Sequence, residues 1–290
     1  MAIRWSDAPG RVAIHPGAMA HRLDPLLTPR SIAFVGASPR KGTPGNGVLE
    51  AIRVGGYEGR VYPVNPKYQE VEGWRCHPSL AALPERVDLA VLCVASQHLE
   101  RLLKDAIATG AKSAAVFDSC YLENDSDPPL VARLAHLARE SDIPVCGGNA
   151  MGYFNLDART LVCGYPPANE ISRGGIAFIT HSGTAFGSIP QGDARLGFNI
   201  IVSSGQELAT TAADYLDYVI ELETTRVVAL FIETVRDPRG FIAALERARA
   251  RAIPVVALKV GRNEFSARLA ESHSGAIAGN DSAYEALFDR

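Results

Sequence analysis

The chain has 290 residues, 47% hydrophobic and 21% charged, with 29 Lys and Arg against 32 Asp and Glu for a net charge of −3. That length corresponds to about two domains and buries a sizeable core without disulfides or metals. The balanced charge and ordinary composition exclude a disordered chain and offer no basic footprint for nucleic acid or an anionic membrane.

Residues 1–28 mix Pro, Gly, Arg and short apolar pieces without a period and read as an extension on the surface or partly disordered. They carry no apolar signal core, and no apolar run in the chain reaches the ~18–20 residues of a membrane span, so the expected setting is cytoplasmic. From Ser31 short apolar runs follow, Ile32–Val35, Val61–Val64, Leu89–Val94, Ala114–Phe117 and Ile143–Cys146, each bounded by turn residues. Such runs suit strands buried on both faces of a parallel sheet. Helices are predicted between them at 45–55, 97–109 and 128–141, an alternation that implies a doubly wound α/β domain.

The Gly- and Pro-rich stretch 147–173 reads as a link to a second α/β unit. There Ile176–Ile179, Ile200–Val202, Val227–Ile232 and Val255–Val260 are the predicted strands. Ala212, Tyr215, Leu216, Val219 and Ile220 give 209–222 one apolar helical face, and Asp237-Pro238 opens another helix. Four strands are few for such a sheet, so a fifth is expected beyond residue 290, in a longer protein. Cys76, Cys93, Cys120, Cys146 and Cys163 form no C-x-x-C pair, which predicts buried reduced thiols and no metal site.

Three loops carry chemistry. Ile32–Val35 runs into Gly36-Ala37-Ser38, then Arg40 and Lys41, before a helix. A first βα turn of this kind sets backbone N–H groups and a helix N-terminus against phosphate, and the two cations add charge. A nicotinamide site wants G-x-G-x-x-G and an acidic residue ending the second strand. Here that strand ends Val64-Asn65-Pro66-Lys67, which fits a phosphate-rich ligand such as coenzyme A better. An ordinary tight turn is the plain alternative.

The second loop, Thr180-His181-Ser182-Gly183-Thr184, has the hydroxyls and N–H groups of an anion nest. G-x-S-x-G is absent, which removes a serine hydrolase, and Ser182 as a mere N-cap is the plain reading. The third, Ser272-His273-Ser274-Gly275-Ala276, surrounds a histidine with small residues that let a ligand approach. Such an imidazole can act as a nucleophile toward phosphorus if a partner fixes one of its nitrogens. Glu233, ending the strand Val227–Ile232, is the candidate partner. His181 is a second, lower-ranked candidate nucleophile.

Together these pieces resemble the NDP-forming acyl-CoA synthetases, the superfamily of ADP-forming acetate–CoA ligase and the succinyl-CoA synthetase α subunit. The resemblance rests on PRSIAFVGAS, GRVYPVNPK, VDLAVLCV, GGNAMGYFN, THSGTAF, FIETVRDP and SHSGAIAG, which occur in family order and cover nearly everything after residue 28. It implies two doubly wound parallel-sheet domains: a Rossmann-like CoA-binding domain over 29–155, then a flavodoxin-like ligase domain over 156–290. It implies that His273 is the phosphohistidine and that Glu233 orients it. Thr180, Ser182, Gly183 and Thr184, with Ser274 and Gly275 of the histidine loop, would hold the phosphoryl group. Gly36, Ala37, Ser38, Arg40, Lys41, Lys67, Val94, Ala95 and Asn149 would form the CoA side.

Gly148 and Ala150 replace the Pro and Cys of the family's G-P-N-C, Val94-Ala95-Ser96 replaces its V-P-A, and Asp118–Glu123 stands where G-F-x-E is common. All these departures fall on the CoA rim. The family's ATP-grasp module, which brings ATP and Mg, has no room in this length and is expected as a separate subunit or a missing part. The implied reaction joins a carboxylic acid to CoA; the rival readings are a non-catalytic CoA-binding or regulatory module and a Rossmann-type dehydrogenase.

Overall fold

A computed structural model describes residues 21–260. In the first half, β1 (Ser31–Val35), β2 (Arg60–Val64), β5 (Leu89–Leu92), β6 (Ser113–Val116) and β7 (Val145–Cys146) form a parallel sheet in the order β2-β1-β5-β6-β7. A small hairpin, β3 (Glu70–Val71) with β4 (Trp74–Arg75), leaves its edge. The helices are α1 (Asp24–Leu27), α2 (Pro44–Gly55), α3 (Ser96–Ala108) and α4 (Leu130–Glu140). Period-2 alternation sends Ala33, Ala90, Leu92 and Val116 to one face, where Leu99, Leu103 and Leu134 of α3 and α4 cover them. Ile32, Phe34, Leu89 and Val91 face the other way, toward α1, α2 and the second half.

The second half holds β8 (Gly152–Asn155), β9 (Thr160–Cys163), β10 (Arg173–Thr180), β11 (Phe198–Ser203), β12 (Val227–Ile232) and β13 (Val255–Lys259). The order is β13-β12-β10-β11-β8-β9, parallel except at β11–β8 and β8–β9. Helix α5 (Gly183–Gly192) packs its Phe186 with Phe178 on one face. Helices α6 (Ala212–Glu221) and α7 (Pro238–Ala250) lie on the opposite face over Ala177 and Ile179. Asp237 caps α7 by accepting from the Gly240 N–H at 3.0 Å.

Two stretches differ from expectation. The segment 147–173 is more than a link, because β8 and β9 add a mixed edge to a sheet expected to be all parallel. Runs of four residues between glycines and prolines show no period, and these strands are fixed by pairing, Ile200 opposite Asn155 and Val202 opposite Tyr153. Residues 23–27 are not surface extension either: Leu23, Leu26 and Leu27 are fully buried. The carbonyls of α1 tie the halves together. Ser113 Oγ donates to Pro25 O at 2.9 Å, Asn155 Nδ2 to Leu27 O at 3.0 Å, and the Tyr153 hydroxyl to Leu26 O. The halves also meet backbone to backbone, since a Cβ on Gly47 would fall 1.9 Å from Gly164 O. All five cysteines are unbridged, and among the described residues no helix is long and apolar enough to cross a membrane.

At the amino ends of the first sheet, Asp88 accepts from Lys112 Nζ at 2.8 Å and the Arg30 N–H at 2.9 Å. Burial pushes its carboxyl up, but Lys112 and Arg30 together outweigh burial and hold it below the usual carboxylate range. Its contribution is therefore complete above the unfolded carboxylate range and disappears as pH falls through the lowered folded value. Asp88→Asn is expected to cost about 1–2 kcal/mol near pH 7 and progressively less toward pH ~3, read by urea unfolding against pH.

Candidate active site

The loops at the carboxyl ends of both sheets converge, where open α/β sheets place ligands. On the first sheet, Gly36 has φ +90° and a Cβ there would fall 2.3 Å from Cys93 O, so the turn after β1 admits only glycine. A Cβ on Gly45 would lie 2.1 Å from Gly36 O, so α2 begins directly on that turn, with Pro44 in its first turn. Asn65 Nδ2 donates to Ala37 O at 2.9 Å, and the Arg40 N–H donates to Ser38 Oγ at 3.1 Å. The amide ending β2 is thus spent on the loop, at the position where a dinucleotide site would offer a carboxylate to ribose.

Arg40, Lys41 and Lys67 are exposed around this turn. Val94 and Ala95 follow β5 next to it, Ala95 as the N-cap of α3. Asn149, with φ +50°, follows β7, and its N–H donates to Asp118 O at 2.8 Å. Eight of the nine residues expected on the CoA side thus follow the adjacent strands β1, β2 and β5, while Asn149 follows β7 at the other edge of the sheet and borders the cavity at the N-terminus of α5. Burial pushes the Cys120 thiol up to about 12, with Asp118 adding to the shift, so it offers no thiolate near neutral pH.

On the second sheet, β10 ends at Thr180 and Ser182 caps α5, its Oγ accepting from the Ala185 N–H at 3.2 Å. Thr180 Oγ1 accepts the Ser182 N–H at 2.9 Å and shapes the turn. First-turn N–H groups, here those of Gly183 and Thr184, have no intrahelical partner and carry the positive end of the helix dipole. They border a cavity of about 440 Å³ that also takes in Asn149, Met151, Gly205 and Glu233. Glu233 directly follows β12. Its Oε2 is buried without a hydrogen-bond partner among the described residues.

The fold thus brings Glu233, Ser182, Gly183 and Thr184 to one cavity, with Thr180 shaping it from behind. His273, Ser274 and Gly275 lie outside the described residues. His181 has both ring nitrogens engaged: Nδ1 accepts the Glu233 N–H at 2.9 Å, and Nε2 lies 2.8 Å from Glu207 Oε1. That leaves no nitrogen for phosphorus, which removes His181 as a nucleophile. A second cavity, about 480 Å³, lies between the start of α2 and the chain after β9, lined by Thr43, Asn46, Phe117, Ala150 and Tyr165 among others. Met151 borders both cavities.

Sequence reasoning missed the loop after β11 that closes the site. The Leu208 N–H donates to Gly147 O at 2.9 Å and the Gln206 N–H to Gly148 O at 2.7 Å, joining the rims of the two sheets. The run Ser203-Ser204-Gly205 is as rich in small residues as the histidine loop, and that was the available signal. Among the described residues no cluster of His, Cys, Asp and Glu is suited to a metal ion.

Comparison with known proteins agrees with this layout. The CoA binding domain family matches residues 30–155, and the succinyl-CoA ligase like flavodoxin domain family matches residues 173–290. The ADP-forming acetate–CoA ligase I of Archaeoglobus fulgidus is 31% identical over 269 residues, 92% of this chain and 38% of the relative. Subunit alpha of the ADP-forming acetate–CoA ligase I of Pyrococcus furiosus is 30% identical, over 92% of this chain and 58% of its own. Among solved structures, the dinucleotide forming acetyl-coenzyme A synthetase 1 of Ca. Korarchaeum cryptofilum, in complex with phosphate and ADP, superposes with a TM-score of 0.84 at 32% identity, over 92% of this chain and 57% of that one. The chain thus spans between about two fifths and three fifths of the length of these relatives.

Proposed function

Because the chain belongs to the NDP-forming acyl-CoA synthetases, as a CoA-binding domain followed by a succinyl-CoA-ligase-like flavodoxin domain, we propose that it is the α-like part of an enzyme joining a carboxylic acid to CoA through a phosphohistidine. The CoA-binding unit takes up most of 29–155 and the ligase unit begins with β8 at Gly152, because that strand pairs with β11 of the second sheet; of the expected extension over 1–28, α1 at Asp24–Leu27 packs into the core between them. A cytoplasmic ATP-grasp subunit or domain supplies ATP with Mg.

The observation that supports this reading is a carboxylate oxygen of Glu233, buried and without a hydrogen-bond partner among the described residues, in the cavity headed by the N-terminus of α5. A carboxylate there stabilises the positive charge that develops on an attacking imidazole, and the N–H groups of Gly183 and Thr184 stabilise the phosphoryl oxygens. In the relay, His273 takes the terminal phosphoryl group of ATP and ADP leaves. A carboxylate oxygen of the acid then attacks phosphorus, the P–N bond breaks and an acyl phosphate forms. The CoA sulfur attacks its carbonyl carbon, and phosphate departs with the electron pair of the C–O bond. The CoA phosphates sit against the Gly36–Ser38 turn and the start of α2, with Arg40, Lys41 and Lys67 supplying charge.

The reverse half-reaction gives a test without the partner. Incubation with ³²P-labelled acetyl phosphate is expected to leave acid-labile, base-stable phosphate on the wild type and none on His273→Ala. Equal labelling of the two overturns the assignment. No labelling of a wild type that still binds CoA reduces the chain to a non-catalytic CoA-binding module.

A further inference from the structure

We propose that Glu207 and His181 form a positioning pair that sets the peptide of Glu233, and through it the carboxylate facing the phosphoryl group; this rests on the ligase reading of that cavity. The pair is the most enclosed polar contact near the site, with side-chain exposures of 2% for His181 and 0% for Glu207. Burying polar groups costs stability unless each is matched, so an enclosed pair of this kind is specific in its geometry.

Glu207 gathers three segments. Its Oε1 lies 2.8 Å from His181 Nε2, after β10, and accepts the Ala212 N–H at the start of α6 at 2.8 Å. The Arg236 guanidinium, after β12, stands 3.7 Å from its Oε2. Glu207 itself has φ +56° in the loop that joins the rims of the two sheets. A carboxylate accepting at Nε2 puts the ring proton on that nitrogen and leaves the Nδ1 lone pair toward the chain. Nδ1 then accepts the Glu233 N–H at 2.9 Å.

The consequence is directional. With the proton on Nδ1 instead, two N–H groups would face each other and the Glu233 peptide would turn away. The imidazole therefore fixes where the chain leaves β12 and hence where the Glu233 side chain starts. Glu207 stands outside the cavity lining, and His181, which does border the cavity, has both ring nitrogens turned to Glu207 and the Glu233 N–H, so the pair acts through position.

Three proteins test this: the wild type, His181→Phe, which fills the ring volume without either hydrogen bond, and His181→Gln, whose amide can accept from Glu233 and donate to Glu207. Acetyl phosphate labelling of His273 is followed against acetyl phosphate concentration, beside CoA binding and thermal unfolding. The maximal rate is expected to fall about 10–100-fold in His181→Phe at unchanged half-saturation, and to recover to within about three-fold of wild type in His181→Gln, because small misplacement of a catalytic group is costly. Nitrogen-15 NMR of the wild type is expected to show the His181 ring proton on Nε2.

Equal maximal rates in wild type and His181→Phe, or a Gln variant no faster than the Phe variant, overturn the positioning role and leave the ligase reading standing. A ring proton on Nδ1 overturns it without any variant, so a Phe variant that fails to fold does not shield the idea. A wild type that takes no label overturns the ligase reading and the pair's role in it.

Discussion

Glu233→Gln is expected to slow labelling of His273 by acetyl phosphate about 10²–10⁴-fold, the usual range for a group that handles developing charge in a transition state. Gln keeps the shape and the Glu233 backbone N–H, so the bond to His181 Nδ1 survives. What disappears is the negative charge at an oxygen that is buried and unpartnered among the described residues. An unmatched carboxylate oxygen in that position costs stability, and a site tolerates such a group when a ligand or a moving cation completes it. The unfolding midpoint is therefore expected to stay the same or rise, and CoA binding to be unchanged. A Gln variant labelling within three-fold of wild type would remove Glu233 from the chemistry and leave it a residue at a strand end.

Gly205→Ala is expected to lower the unfolding free energy by about 2–5 kcal/mol, from a left-handed backbone penalty together with overpacking. Gly205 has φ +60°, and a Cβ on it would fall 2.2 Å from Gly148 O, a backbone atom that cannot rotate aside. The carbonyl it would strike already accepts the Gln206 N–H at 2.7 Å, so relief on one side breaks the seam on the other. Because Gly205 borders the cavity with Ser182 and Glu233, His273 labelling is expected to fall even where the variant remains folded. Gly192→Ala is the control: a Cβ there meets nothing within 4 Å, and the exchange at the end of α5 is expected to be neutral or mildly stabilising. Chemical denaturation of both variants beside wild type reads the difference, and a Gly205 variant as stable as the control would contradict the packing argument.

The architecture was legible where burial and period coincide. β1, β2, β5, β6 and β10 to β13 are continuous apolar runs ended by turn residues, and α2, α3, α4, α6 and α7 present one apolar face each. The expected bounds fall within a few residues of those observed. α1, the β3–β4 hairpin and the β8–β9 pair were not legible, because they owe their form to neighbours distant in sequence, whereas the equally short β5, β6 and β7 lie in apolar runs bounded by turn residues. The same division holds in the site. Gly36 and Ser182 could be found because the turn geometry demands those residue types locally. Glu207 could not, since a glutamate between Gln206 and Leu208 looks like any loop carboxylate until His181 and Ala212 are placed around it. His181 was visible as a histidine in an informative loop, but its work depends on which atoms meet each nitrogen, and that is a fact of three dimensions.

The seam between the halves governs how the reactants can meet. Three carbonyls of the short α1 segment are held by side chains from both sheets, and Leu23, Leu26 and Leu27 share one apolar cluster with Phe34, Ile179 and Tyr215. Across those contacts the two halves share one packed core, so the turn after β1 and the N-terminus of α5 are held on a common frame. On the proposed function, spanning the distance between them falls to the pantetheine arm of CoA, and Met151, which borders both cavities, stands on the way.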